Sequence, residues 1–567
     1  MKQTKTLTKI ILPALLALGS LAGCTGRKIE VDKTKSQVYV ATFDGGFGDE
    51  YLESLKRRFE EEFNDVSYEE GKMGVELIYT KERNLINLDS YKSTIHDVII
   101  TEQTTYFNYV EAGDMLDITD IVKETLTEYG ETRSIEDKIY NSSKNYLNID
   151  GRYYALPYYG GGYGITYDRD FFSKNRLYFA GDAANEYRSA FDMDGAKKVF
   201  DFVRDDAGVD LCAGPNGIHG DYDDGLPQTI EQFAALAAQM AELGISPITM
   251  SGKNSGYIRN FLTALATNLT PRNEADLLFT LDGTSCNLIQ DIANDGTITY
   301  MAETVITEEN KNLTHRHSAR YHALTVYEYL FKNNLFHSKI NTSSHLEAQH
   351  HFINGTYKDR ISVDDPIGFL IDGTWWENES APYFVEMAER MGSDDAHRLN
   401  RNFALMPFPK LKDDQIGQKN IMFDPLVSLA FAINRPETHK QRMSKDLLRF
   451  MFSDASLSDF SRVTGTYINA AYDVNEKDLE ELSPYTKSIL QLKNDSEILF
   501  PLGSTQTYKD SQPAYLQSTF GWESNVDGMR YSTPDVFFKS KTVRSEIHNS
   551  IWYFKGIAIN ADAFYKS

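Results

Sequence analysis

Short β-rich runs alternate with amphipathic helical patterns through most of this chain. The first run, Val38–Phe43, ends at the turn Asp44-Gly45-Gly46, and apolar residues then recur at helical spacing: Leu52, Leu55, Phe59 and Phe63. Two further β-rich runs follow at residues 75–79 and 97–100. Strands that alternate with helices indicate a layered α/β lobe with a mostly parallel sheet.

A second unit is expected after Pro157, with the same mixture of elements. Thr229 precedes an apolar stripe typical of a helix over residues 230–243, and Gln232 is placed to complete a capping box. The pattern predicts three more helices and two strands: helices over residues 321–335, 345–352 and 445–452, and strands over 367–371 and 426–433.

The N-terminus has the pattern of a secretory signal. Lys2, Lys5 and Lys9 precede an apolar run, Ile10–Leu18, that is too short to span a bilayer as a helix. The next segment, Leu21-Ala22-Gly23-Cys24, resembles a bacterial lipobox, in which Cys24 would become the lipidated first residue of the mature chain. We therefore expect a signal peptide over 1–23, a flexible tether over 24–36, and a protein anchored on the extracytoplasmic face of the cell membrane. An ordinary signal peptide that ends near a cysteine is the alternative.

Length and charge limit the possible architectures and partners. Removing 23 residues from 567 leaves 544, too many for one compact core, so two or more lobes are expected. The net charge of −24 becomes about −27 without the three leader lysines. Nucleic acid is excluded as a partner because phosphate binding requires clustered Lys and Arg. Membrane attachment should rest on the lipid alone, and we expect a monomer.

The remaining two cysteines, Cys212 and Cys286, do not make a disulfide framework. We interpret both as small buried apolar residues, although pairing outside the cell stays open.

Enzyme and metal motifs are absent from the sequence. It has neither Gly-x-Ser-x-Gly nor His-Glu-x-x-His. His317 and His322 lie five residues apart, as do His345 and His350, which is the wrong spacing for two zinc ligands on one face of a helix. Gly160-Gly161-Gly162 lacks the Lys-Ser/Thr of a phosphate loop, so it marks a bend or close packing. Asp221, Asp223 and Asp224 are read as a solvated acidic loop, with structural calcium as the open alternative. No catalytic residue, metal ligand or cofactor is predicted, although a carboxylate pair for sugar hydrolysis stays possible.

Aromatic residues at the ends of predicted strands are more informative. Trp375 and Trp376 directly follow a strand and a glycine, and Trp522 lies in Phe520-Gly521-Trp522-Glu523. Flat apolar rings suit the C–H faces of sugars, while carboxylates and amides suit sugar hydroxyls. Because neighbouring side chains on a strand point in opposite directions, at most one of the two tryptophans should face a ligand. Core packing is the competing interpretation for each tryptophan.

The order of these segments resembles the extracellular solute-binding lipoproteins of ABC importers, in the oligosaccharide-binding group that includes maltose-binding protein. The resemblance runs along most of residues 37–480. It is carried by the Asp44-Gly-Gly loop with its long helix and by these segments: 97–102, 151–157, 167–171, 225–233, 352–355, 372–376, 403–409 and 465–468.

The resemblance implies a two-lobed α/β, periplasmic-binding-protein-like fold with a hinge of crossing segments and a central ligand cleft. The crossings would lie near residues 157–163, 418–424 and 464–472. Lobe 1 would comprise about 37–157 with 421–466, and lobe 2 about 163–418 with 470–567.

The resemblance also implies which residues reach the cleft. From lobe 1 these are Asp44, Glu102 and Gln103, and from lobe 2 Trp375, with Trp376 as its substitute. Proximity to the hinge and aromatic type add Tyr158, Tyr159 and Trp522.

The expected function is the substrate-binding component of an ABC transporter, which captures a carbohydrate and delivers it to permease subunits. A peptide or a polyamine is the alternative solute. A secreted carbohydrate-active enzyme and a surface adhesion protein are the rivals from other classes.

Overall fold

The structure is a computed structural model that describes residues 31–502, except 44–45, 48–49, 86–87, 103–104, 182–201, 205–209, 293–296, 308 and 358–364. Four of the predicted functional residues, Cys24, Asp44, Gln103 and Trp522, therefore lie outside the described residues.

The first of the two main sheets has five strands in the order β2-β1-β3-β18-β6. They are β1 Ser36–Phe43, β2 Val75–Glu82, β3 Val98–Glu102, β6 Leu156–Pro157 and β18 Ser428–Ala432. β1 runs parallel to β2 and β3, as predicted, whereas β18 is antiparallel to both β3 and β6. The register of β18 pairs Ser428 with Glu102, which places both residues at the same edge of the sheet.

The second main sheet has the order β10-β15-β7-β16. Its strands are β7 Tyr163–Asp168, β10 Ser246–Thr249, β15 Ile367–Gly373 and β16 Phe403–Met406. β15 is parallel to β10, and β7 is antiparallel to β15 and β16. All residues of β7 and β15 are buried, which is typical of strands with helices on both faces of the sheet.

The other described strands form two-stranded ribbons. These are β4 Asn148–Ile149 with β5 Arg152–Tyr153, β8 Tyr178–Phe179 with β9 Phe202–Val203, β11 Thr284–Ser285 with β14 Thr304–Val305, β12 Ile289–Ile292 with β13 Ile298–Tyr300, and β17 Asn420–Phe423 with β19 Ser496–Leu499.

Helices surround these sheets along the described chain. In the first half they are α1 Glu50–Glu62, α2 Tyr106–Glu111, α3 Thr119–Lys123, α4 Ile135–Lys138, α5 Asn141–Leu147, α6 Arg169–Asn175, α7 Ile230–Glu242, α8 Ser255–Asn268 and α9 Arg272–Thr280. In the second half they are α10 Ser318–Lys332, α11 His345–Gly355, α12 Trp376–Glu379, α13 Ala381–Met391, α14 Thr438–Met451, α15 Asp454–Thr464, α16 Glu476–Glu481 and α17 Pro484–Asp495.

The helix signals in the sequence are confirmed in part. Thr229 caps α7 by accepting a hydrogen bond from the Gln232 amide. The predicted capping box is wrong, because the Gln232 side chain accepts from the backbone of Gln228 instead, at 2.5 Å. α14 begins at Thr438, seven residues before the predicted start, since its first turns are polar and carry no apolar stripe.

Three chain segments cross between the two sheets and are hydrogen-bonded to one another. The Gly160 amide donates to the Tyr467 carbonyl at 2.7 Å, and the Gly161 amide donates to Asp424 Oδ2 at 3.2 Å. Asn469 Nδ2 donates to the same Asp424 oxygen at 2.5 Å. Asp424 therefore joins all three crossings at one carboxylate.

Close packing explains the triple glycine at the first crossing. A Cβ on Gly160 would lie 2.0 Å from the Tyr467 ring, and a Cβ on Gly161 would lie 2.2 Å from Leu426. None of the three glycines has a positive φ, so close approach rather than a bend is what requires them.

The cysteine interpretation is right for one residue and wrong for the other. Cys212 is buried and Cys286 is exposed, and both thiols are free. The backbone amide of Cys286 donates to the buried Glu274, and this leaves the Cys286 side chain at the surface. No described helix combines the length and the apolar character needed to cross a bilayer.

Candidate ligand-binding cleft

Glu102 and Tyr159 meet where the first sheet adjoins the crossings. Glu102 ends β3 and Tyr159 follows β6, and β18 lies between these two strands. Burial and the nearby Asp424 carboxylate raise the pKa of Glu102 to about 8, with a partly opposing effect from the Tyr159 hydroxyl. Burial likewise raises the pKa of Asp424. The floor of the cleft thus holds two carboxyl groups in a poorly hydrated place.

Tyr158 and Tyr159 point in different directions, although both are buried. The Tyr158 hydroxyl is hydrogen-bonded to that of Tyr51 on α1, and its ring packs on Phe460. Tyr159 instead packs at a tilt against Phe47, in the loop before α1, with ring centroids 4.4 Å apart. Of the two, Tyr159 belongs with Glu102, whereas Tyr158 lies in the packing between α1 and α15.

Trp375 lies two residues after the end of β15, at the base of the second sheet, and contacts the first crossing. Only 8% of its surface is exposed. A Cβ on Gly161 would come within 2.9 Å of its ring, and a Cβ on Gly373 within 2.1 Å. The indole therefore occupies space that the two glycines leave open.

Two tyrosines that the sequence reasoning missed adjoin Trp375. The Tyr163 ring lies 6.1 Å from that of Trp375, and the Tyr257 ring lies 6.2 Å from that of Tyr163. Tyr257 also stacks on His345. Tyr163 starts β7 and could have been found from its place after the triple glycine, but nothing in the sequence near Tyr257 marks it.

Trp376 is placed in the core of the second sheet. It is fully buried and packs edge-on against Phe352, Phe403 and Tyr485. In this arrangement Trp376 has no accessible surface to offer a ligand.

A carboxylate pair that the sequence reasoning missed lies beside Trp375. Gln349 Nε2 donates to Asp372 Oδ2 at 3.0 Å and to Glu379 Oε2 at 2.8 Å, and Ser380 Oγ donates to Gln349 Oε1. Burial and the neighbouring Glu379 raise the pKa of Asp372, and burial raises that of Glu379. The end of a strand at Asp372-Gly373 could have indicated Asp372 as a site residue. Gln349 could not be found in this way, because it lies on α11 and reaches Asp372 only in the folded structure.

The two halves of the molecule touch across this cleft. Asn378 Nδ2 donates to the Gly46 carbonyl at 2.7 Å, and Glu379 packs so closely that a Cβ on Gly46 would lie 2.5 Å from its Cγ. A groove of about 540 Å³ runs along the same mouth, lined by Glu50, Glu53, Ser54, Arg57, Arg398, Arg462 and Val463. The lobes are thus in a closed arrangement.

The chemistry of the cleft suits binding by contact with rings and hydroxyls. It brings aromatic rings next to carboxyl groups, which form hydrogen bonds with hydroxyl or amine groups. Away from it, Asp221, Asp223 and Asp224 are the group among the described residues that has the spacing of metal ligands.

Comparisons with solved structures identify the fold. The chain is similar to a chitin oligosaccharide binding protein, with a TM-score of 0.52 and 13% identity over 92% of this chain and 99% of that one. It is also similar to the solute-binding protein RafE of Streptococcus pneumoniae in complex with raffinose (TM-score 0.52, 11% identity, 92% and 100% covered). The bacterial solute receptor AcbH gives the same four values as RafE.

These likenesses confirm the expected architecture. The chain has the two-lobed α/β fold of solute-binding proteins, with a hinge of crossing segments and a cleft between the lobes. No protein-family profile matches the sequence, and no curated protein sequence matches it.

Proposed function

We propose that this protein is the substrate-binding component of an ABC importer and that it captures a carbohydrate in the cleft between its lobes. The proposed ligand is an oligosaccharide. The chitin- and raffinose-binding proteins that share its fold support this class of ligand. Catalysis is not part of the proposal, because solute-binding proteins of this fold bind rather than convert their ligands.

The observation that carries the proposal is the position of Trp375. Its indole lies against the crossing glycines, with Tyr163 nearby and the Asp372–Gln349–Glu379 network beside it. A sugar ring stacked there would meet carboxylates at its edge. Burying apolar sugar surface stabilises a complex by about 25 cal/mol per Å².

The proposed site extends to the other lobe through Glu102 and Tyr159. Asp44 and Gln103 remain proposed members on the strength of the family resemblance, and Trp522 remains a proposal that rests on its residue type. A ligand that touches both lobes favours the closed form by its differential affinity, and the permease would recognise that form.

The division into lobes is part of the same proposal. Lobe 1 comprises about residues 37–157 with 421–466, and lobe 2 about 163–418 with 470–567. The strands of the two sheets support this division along the described chain. Attachment to the membrane through a lipid on Cys24, and transfer to permease subunits, complete the proposed role.

The experiment is a thermal-unfolding screen of the purified protein against oligosaccharides, monosaccharides, peptides and polyamines. A ligand that binds only the folded state adds about 2.7 kcal/mol of stability at a hundredfold excess over its Kd. We expect one class of glycan to raise the midpoint, with no product detected by chromatography.

Other outcomes of the screen would contradict the proposal. A midpoint raised only by peptides or polyamines would replace the carbohydrate with another solute. Glycan turnover would make the protein an enzyme.

A further inference from the structure

The loop between Gly214 and Gly225 holds three aspartates close together in space. Asp221, Asp223 and Asp224 each place a carboxylate oxygen within 4.8 Å of the others. No Lys, Arg or His nitrogen of the described residues forms an ion pair with any of the three. The Lys410 ammonium interacts electrostatically with Asp223, but its hydrogen bond goes to the Lys419 carbonyl at 3.3 Å and not to a carboxylate of the loop.

Hydrogen bonds within the loop use one carboxylate oxygen of Asp223 and one of Asp224. Asp223 Oδ2 accepts from the Asn216 amide at 3.1 Å, and Asp224 Oδ2 accepts from the Gly220 amide at 2.7 Å. Asn216 Nδ2 holds Asp221 Oδ2 at 2.7 Å. These bonds fix the carboxylates but leave the second oxygen of Asp223 and of Asp224 unassigned.

Those second oxygens are the independent sign of a ligand. Asp223 is 0% exposed, and its Oδ1 has no hydrogen-bond partner among the described residues. Asp224 Oδ1 is likewise a buried atom without a partner there. A buried carboxylate oxygen that is neither hydrogen-bonded nor paired is unfavourable unless a cation or a proton neutralises the group.

We propose that this loop is a calcium site, with Asp221, Asp223 and Asp224 as its carboxylate ligands. Ca²⁺ binds six to eight oxygens at about 2.3–2.6 Å, so two oxygens on opposite sides of one ion lie about 4.8 Å apart. The three carboxylates fit within that span. A cavity of about 360 Å³ that Asp221 and Asn216 help to line gives water access to complete the coordination.

The location of the loop indicates what the ion would do. Gly225 closes the loop through hydrogen bonds with Cys212 and Phe179, and α7 begins five residues later at Ile230. Calcium would therefore hold the entry to α7 against the β8 ribbon and stabilise the folded protein. This role is independent of the carbohydrate proposal, since none of the three aspartates lines the cleft.

The experiment compares the thermal unfolding of the purified, EGTA-treated protein with and without CaCl₂, with MgCl₂ as the second cation. Isothermal calorimetry with CaCl₂ measures binding directly. We expect calcium to raise the midpoint by about 3 °C or more, with a smaller effect of magnesium. Asp223→Asn with Asp224→Asn should abolish the shift. The control is the double variant Asp394→Asn with Asp395→Asn, which removes the same charge from an exposed pair elsewhere. This control should keep the calcium-dependent shift.

The proposal is overturned if the unaltered protein shows neither a calcium-dependent shift nor heat of binding. An equal shift in the Asp223/Asp224 variant, or an equal shift with magnesium, also contradicts it. If that double variant does not fold, Asp224→Asn alone replaces it, and the calorimetry on the unaltered protein decides the question without any variant.

Discussion

At the scale of single residues, two adjacent pairs of like side chains have opposite surroundings. Tyr158 packs between helices while Tyr159 joins Glu102, and Trp376 fills a core while Trp375 lies at the crossings. The alternation of side chains along extended backbone explains the first pair. The start of α12 explains the second, because Trp375 is the N-cap residue of this helix and Trp376 is its first residue.

Replacing Trp375 with leucine tests this difference. Leucine keeps apolar bulk but removes the flat ring, so we expect the affinity for the captured sugar to fall about tenfold, which is about 1.4 kcal/mol. Trp376→Leu is the matched control, and it should cost about 2–4 kcal/mol of unfolding free energy while the folded fraction binds normally. Calorimetric titration and urea unfolding of both variants measure this. Equal affinity in Trp375→Leu and the unaltered protein would exclude Trp375 from the site.

Glu102 should impose a pH dependence on stability. Burial and Asp424 raise its pKa to about 8 in the folded protein, so between about pH 4.5 and 8 the folded state binds more protons than the unfolded state. This contribution to stability is present below about pH 4.5 and is lost as the pH rises to 8. Glu102→Gln should flatten that fall in urea unfolding, and the exposed Glu111→Gln should not. Identical slopes in Glu102→Gln and the unaltered protein would contradict the prediction.

At the scale of elements, the sequence predicted well which helices and strands exist, but it predicted poorly how they pack together. Strands such as β15 and helices such as α7 were predictable because their apolar periodicity is local. Gln349 and Tyr257 could not be placed in the cleft from sequence, since only the packing of α11 and α8 near β15 brings them there. The close approach at Gly160 likewise depends on Tyr467, which lies 307 positions away in the chain.

The segment around α9 and α10 is held by a buried charged network. Glu274 on α9 accepts from Ser285 Oγ at 2.6 Å, from the Cys286 amide at 3.1 Å and from His317 Nε2 at 2.9 Å. Because His317 Nδ1 accepts from the Ala319 amide, the ring proton is on Nε2 and is donated to Glu274. Burial alone would raise the pKa of Glu274, but these hydrogen bonds outweigh it and hold the value at about 2.

Glu274→Gln should therefore cost about 3 kcal/mol of unfolding free energy at pH 7. The sign with pH follows from the lowered pKa: the contribution is present above about pH 4.5 and is lost as the pH falls towards 2. The difference from the unaltered protein should thus shrink between pH 5 and 3 in urea unfolding. The exposed Glu303→Gln, in the same region, should change little at either pH. A cost that does not vary with pH would contradict this reading of the network.

At the scale of the whole molecule, the order of segments along the chain indicated two lobes, because a segment that resembles the solute-binding family lies at or next to each crossing. The closed arrangement was not predictable, since it depends on contacts between lobes rather than on any local pattern. Asn378 on α12 and Gly46 after β1 make the hydrogen bond that spans the cleft, and Arg398 reaches Asn378 from its own lobe at 3.5 Å.

Removing that hydrogen bond should weaken ligand binding without weakening the fold. A single hydrogen bond contributes about 1 kcal/mol, so Asn378→Ala should lower the closed population and raise the apparent Kd about fivefold. Its unfolding midpoint should stay close to that of the unaltered protein, because the bond joins lobes rather than elements of one core. Asn333→Ala is the control, as it removes an amide that donates to Tyr329 within a single helix. Small-angle scattering should show that more ligand is needed to compact Asn378→Ala than Asn333→Ala. If both variants need the same amount of ligand, the hydrogen bond between Asn378 and Gly46 forms as a result of closure and does not favour the closed form.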